Sequence, residues 1–91
     1  MTLVSMTYAQ LEQGAFEAVA EAESAADKWP PFNSAHEGYA ILLEEVDELW
    51  GHVKINQKKR DLAAMRAEAI QVAAMALRFV VDVCDGGRGR V

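Results

Sequence analysis

DLAAMRAEAIQVAAMALRFVVDV, residues Asp61 to Val83, is the stretch that decides the fold. Alanine loses no side-chain entropy on entering a helix, and no proline or glycine interrupts the run, so it reads as one long helix. On a helical wheel with Gln71 at 0°, Glu68, Gln71, Arg78 and Asp82 fall within about 80° of arc. Nearly everything else, Arg66 excepted, is Ala, Ile, Val, Met, Leu or Phe. Such a helix needs cover on several sides, more than 91 residues in one chain provide, so a second copy is expected to complete the bundle.

The neighbouring stretches follow the same logic. Ser34 and Glu37 stand in the S-x-x-E spacing of a reciprocal helix cap, and a second helix runs from there to about Val53. Its Leu42, Leu43, Val46, Leu49, Trp50 and Val53 share an arc of about 120° and predict a core-facing stripe. Thr7 and Gln10 open a first helix that runs to Lys28, with Tyr8, Leu11, Ala15, Ala18, Val19 and Ala22 on one face and Glu12, Glu17, Glu21 and Glu23 on the outer one. Trp29-Pro30-Pro31 stops it. Ile55 to Arg60 reads as a polar connection, and residues 86–91, rich in glycine, as a disordered tail after a single helical domain of residues 1–85. Sixteen alanines against two prolines complete an all-α reading, an antiparallel bundle of about three main helices.

Composition limits the function. Fourteen acidic residues against nine basic ones give a net charge of −5, which disfavours a nucleic-acid partner. The longest apolar runs fall short of the roughly 18 residues that span a bilayer. One cysteine, Cys84, makes no intramolecular disulfide, and Met1 to Ser5 lack the basic and apolar regions of a secretory leader, so a reducing, cytoplasmic setting is expected. Cys84 has no histidine at a convincing spacing for nucleophilic work, and no glycine-rich phosphate loop precedes a helix.

Two acidic groups carry the chemistry. Glu45 and Glu48 project from one face of the second helix, with Ile41 between them in angle and Gly38 on the same side. A face meant only for water rarely carries that isoleucine. No Lys or Arg sits at i±4 to offset the repulsion, so a hard divalent cation is the expected partner, held also by Glu68 and Gln71 from the third helix. The opposing reading is that acidic pairs at this spacing are solvated surface.

At these residues the chain resembles the MazG-like branch of the all-α nucleoside triphosphate pyrophosphohydrolases, marked by E-x-x-E on one helix and E-x-x-D on the next. Glu45-Val46-Asp47-Glu48 supplies the first half and Glu68-Ala69-Ile70-Gln71 the second, with glutamine in place of the aspartate. Pro31 to Ala40 adds likeness to the short phage and mobile-element type, over about residues 29 to 80. The resemblance implies a bundle completed by dimerisation, in some members doubled to a tetramer. It also implies Mg²⁺-dependent (or Mn²⁺-dependent) cleavage of a nucleoside triphosphate to the monophosphate and pyrophosphate. Glu45 and Glu48 would then be catalytic, and Glu45, Glu48, Glu68 and Gln71 would hold metal.

Other residues have two readings each. Trp29, Phe32, Asn33 and His36 offer a stacking ring and polar edges for a base beside a helix N-terminus, or merely pack the turn. Lys54 could reach phosphate from just past the acidic face, or cap a helix end. Arg78 could bind phosphate, or pair with Asp82 at i+4. His52 is a ligand one turn below Glu48 or a surface group. Gln71 also leaves open a different class of protein, a catalytically silent helical oligomer that binds partners, or metal and nucleotide weakly.

Overall fold

A computed structural model describes residues 7–91, and every element in them is helical. Helix α1 spans Tyr8–Lys28, α2 Ala35–Val53 and α3 Leu62–Arg78; α3 continues into a wider π-helical segment, Phe79–Asp85, and Gln57–Lys59 form a 3₁₀ turn before it. α1 and α2 each pack against α3, which is therefore the central helix. No helix among these residues is long and apolar enough to cross a membrane.

Short polar side chains set the helix ends. Thr7 Oγ1 accepts from the Gln10 backbone N–H at 3.1 Å while Gln10 Oε1 accepts from the Thr7 N–H at 2.8 Å, a complete capping box. At α2 only half of the expected box forms. Ser34 Oγ accepts from the Glu37 N–H at 3.1 Å, but the Glu37 carboxylate turns to Asn33, accepting from its backbone N–H at 3.3 Å and its Nδ2 at 3.1 Å. Asn33 offers that carboxylate two donors where Ser34 offers one. Asp61 caps α3 through the Ala64 N–H at 3.0 Å. The end of the chain, expected as a free tail, makes contacts: the Arg88 N–H donates to Val83 O at 2.9 Å, and its guanidinium donates to Phe32 O at 3.3 Å. Gly87 sits at φ +78°, a turn conformation that suits glycine.

The helices differ from expectation in which face they bury. The core is small, made of Phe32, Ala74, Met75 and Val83, with Ile41, Leu42 and Phe79 packed on it. Of the six-residue stripe expected to face inward from α2, only Leu42 packs on this cluster; Leu43, Val46 and Trp50 are exposed, Trp50 to 58%. Gly38 supplies the reason. A Cβ there would stand 2.8 Å from the Phe79 ring and 3.0 Å from the Phe32 ring, so α2 approaches the end of α3 closely only with Gly38 turned inward. That fixes its rotation and brings Ile41 and Glu45 to the same side.

On α3 the polar stripe faces the interior, as its expected place opposite Glu45 and Glu48 requires, with Arg78 at 6% exposure; the difference lies on the apolar side, where Leu62, Leu77, Val80 and Val81 are exposed. α1 likewise turns two of its supposedly outer acids toward α3: Glu17 binds Arg66 through both oxygens, at 2.6 and 2.7 Å, and Glu21 accepts from Gln71 Nε2 at 2.8 Å. Arg66 and Gln13 together hold the Glu17 carboxyl down at about 2.

Gly38→Ala is therefore expected to lower stability by about 1–2 kcal/mol despite the better helix propensity of alanine. Gly14→Ala and Gly51→Ala, whose added Cβ would meet nothing within 4 Å, are expected to raise it by roughly 0.5–1 kcal/mol. Urea denaturation of the three variants measures this; a neutral or stabilising Gly38→Ala would refute the close-approach account.

Candidate functional site

Glu45 and Glu48, three residues apart on α2, face Glu68 on α3, and one carboxylate oxygen from each lies within 4.8 Å of the others. The Gly38 contact sets the rotation of α2, and the Asp61 cap fixes where α3 begins. Glu68 Oε2 is buried and has no hydrogen-bond partner, a costly state for a carboxylate unless something positive joins it. The electrostatics agree. Glu45 titrates above the ordinary carboxylate range, first because of burial, then because of the charges of Glu48, Glu68 and Glu44. Glu68 is raised as well, first by burial and then by the close Glu48 carboxylate; His52 opposes the rise.

Beside the carboxylates opens a cavity of about 620 Å³ between the C-terminal half of α1, the first half of α2 and the second half of α3. Glu45 belongs to both features. Trp29, Lys28, Glu21, Gln71 and Arg78 contribute to the cavity wall, and the Trp29 ring is 65% exposed at its rim. This volume lies within the range of small-molecule sites.

The other expected site residues divide. Gln71 lines the cavity with Glu45, and its amide nitrogen donates to Glu21, which leaves the amide oxygen as the atom it could offer a cation. Arg78 also lines the cavity, yet its guanidinium is already committed: Nη2 donates to Pro30 O at 2.9 Å and pairs with Asp82 at 3.5 Å, and the group lies 4.5 Å over the Phe32 ring. Asn33 caps α2 with Glu37, His36 is exposed on the first turn, and Lys54 ends α2. None of these three lines the cavity. Phe32, offered as a stacking ring, is fully buried in the core. Lys28 and Glu21 were not anticipated; the proximity of Lys28 to Trp29 was their one sequence signal, while Glu21 is brought in by a contact fifty residues distant.

Fold and site thus define an all-helical bundle with an acidic trio beside a cavity of small-molecule size. No family model matches the chain, and no curated protein or solved structure is found to be similar to it.

The raised carboxyls make stability depend on pH. In the unfolded chain Glu45 and Glu68 return to ordinary values, so below those values both states are protonated and no penalty applies. As pH rises from there through the higher folded values, the unfolded chain releases protons first and stability falls. In chelator, Glu68→Gln is expected to flatten this fall and to melt higher than the native protein at pH 7 to 8. A thermal-melt series across pH reads it; an unchanged pH slope would count against the crowding of the three acids.

Proposed function

We propose that the chain is a divalent-cation-dependent, MazG-like nucleoside triphosphate pyrophosphohydrolase that releases nucleoside monophosphate and pyrophosphate. It would act as a cytoplasmic homo-oligomer. The observation that carries the reading is the convergence of Glu45, Glu48 and Glu68 from two helices, with one buried oxygen lacking any partner. The donor set fits the ion: three carboxylates are hard oxygen ligands of the kind Mg²⁺ and Mn²⁺ take, and their mutual repulsion is what such a charge relieves. Glu45, Glu48 and Glu68 would hold it. When bound, a divalent ion neutralises phosphate charge and makes a coordinated water more acidic.

The chain's own groups supply the rest. Glu45 belongs to both the trio and the cavity wall, so it is the carboxylate suited to accept a proton from a water attacking a phosphate held there. Trp29 offers an exposed indole face on which a base stacks, and Lys28 beside it offers a phosphate a positive charge. Arg78 is assigned no phosphate: its donors hold the Pro30 carbonyl and Asp82.

A second reading, a catalytically silent module, is favoured by one observation: Gln71, at the place of an acid in the resembled motif, is tethered to Glu21. Incubation with a panel of NTPs and dNTPs in Mg²⁺, with products separated by ion exchange, distinguishes the two. Expected are monophosphate and pyrophosphate, with Glu45→Gln or Glu48→Gln lowering kcat by about 10²-fold or more and Trp29→Ala raising KM with kcat little changed. Absence of turnover in the native protein and in Gln71→Asp would overturn the enzymatic reading in favour of the silent one.

A further inference from the structure

The glycine-rich end of the chain returns one arginine to the bundle. Arg88 is half-buried, while Gly87 and Gly89 on either side of it and Arg90 beyond are exposed. Its N–H donates to Val83 O at 2.9 Å and its guanidinium to Phe32 O at 3.3 Å. The path to that contact is written in the sequence. A Cβ on Gly86 would collide with the Asp82 carbonyl, and Gly87 turns the chain back at φ +78°. This is the glycine-terminated helix end in which the residue after the left-handed glycine bonds back to the last turn.

What Arg88 reaches is the segment between α1 and α2. Pro30 and Pro31 fix their own φ, and each holds the residue before it extended; Trp29 accordingly sits at φ −129°, ψ 142°. Few soft dihedrals separate Trp29 from Phe32, so a grip on Phe32 sets where the indole stands. Among the described residues, the main-chain hydrogen bonds of Pro30 and Phe32 all run to the C-terminal end: Pro30 O to Arg78, Phe32 N–H to Asp82 and Phe32 O to Arg88. Trp29, Pro30 and Phe32 also line the cavity beside Glu45.

We propose that residues 86–88 form a strap that positions Trp29 over the cavity, with Arg88 as a positioning residue that acts through Phe32. Arg88 does not line the cavity, so it acts on a bound molecule without touching it. Arg78 is buried and belongs to the core. Arg88 grips the same segment from the surface end, through a bond that opens without unpacking the helices. Linkage makes the coupling mutual: a ligand seated on Trp29 holds the strap down, and a freed strap weakens that ligand by the same factor. The inference rests on the proposed reading that a base stacks on Trp29, and it adds the part of the chain that sets how tightly the base is held.

Amide hydrogen exchange, and the fluorescence of Trp29 in a Trp50→Phe background, read the strap without nucleotide. Arg88→Ala is expected to speed exchange of the Phe32 amide by about three- to tenfold and to raise acrylamide quenching of Trp29, with the Ala74 and Met75 amides of α3 unchanged. Arg88→Lys, which keeps a donor, restores most of the protection. Gly87→Ala, whose methyl meets nothing within 4 Å and is opposed only by the positive φ, copies Arg88→Ala, and Arg90→Ala has no effect. An unmoved Phe32 amide, or faster exchange throughout α3, would overturn the proposal. In the turnover assay Arg88→Ala is expected to raise KM by about threefold or more with kcat little changed, and to add nothing in a Trp29→Ala background, because both act along one path. Additive effects on KM would overturn the positioning role. Exchange and fluorescence decide the strap even where no nucleotide is turned over, so the strap and the hydrolytic reading fail separately.

Discussion

A single guanidinium organises the molecule. Arg78 is almost wholly buried, and a charge so placed is tolerated only when its surroundings satisfy it. They do so from three sides, through the Pro30 carbonyl, the Asp82 carboxylate and the face of Phe32. Asp82 in turn accepts from the Phe32 N–H at 3.1 Å, and Arg88 donates to the carbonyl of the same residue. The turn between α1 and α2 is thus fastened to the far end of α3. Phe32 is driven into the core, Gly38 comes up against its ring, and α2 has one rotation left. That rotation points Glu45 and Glu48 at Glu68.

The acidic trio then stands out against the rest of the bundle. Glu17, on the neighbouring helix, shows what the chain does with a carboxylate that serves structure: Arg66 meets it with two hydrogen bonds, and its proton affinity drops. Glu45 and Glu68 shift the opposite way, since burial and like charges surround them. A helix–helix seam selected for stability alone would place apolar side chains where these three acids sit. Their cost to the fold is intelligible if a ligand charge offsets it, which is why site and stability are arguments about the same atoms.

What could be read in advance was local. The Thr7 box, the Ser34 cap and the Pro30–Pro31 stop are decided by side chains within four residues of the backbone groups they satisfy, and the structure keeps them, with Glu37 diverted to Asn33. Glu45, Glu48 and Glu68 were legible because i,i+3 spacing places carboxylates on one face, and Ile41 and Gly38 marked that face as covered. Which of the two apolar arcs of α2 makes the core was not legible. α2 has two apolar arcs, and periodicity ranks the longer stripe of Leu43, Val46 and Trp50 above the one Gly38 selects. Glycine has no hydrophobicity to register, so the residue that settles the rotation is silent in a pattern of apolar side chains. Pairings such as Glu21 with Gln71, or Arg78 with Pro30, join residues nearly fifty apart, and no window of local sequence holds both partners.

The polar stripe of α3 links the interior of the molecule to its surface. α3 turns Glu68, Gln71 and Arg78 inward, and every polar group taken into the bundle displaces an apolar one from it. The core is accordingly reduced to a few side chains, and leucines and valines of α3 and its π-helical extension join Tyr39 and Trp50 of α2 on the outside. A chain of this size has little hydrophobic burial to spare. Placing acidic side chains between the central helix and α2 therefore leaves apolar surface outside. Acidic trio and exposed apolar arc, on two faces of one helix, are two results of a single choice about what α3 carries on its inner side.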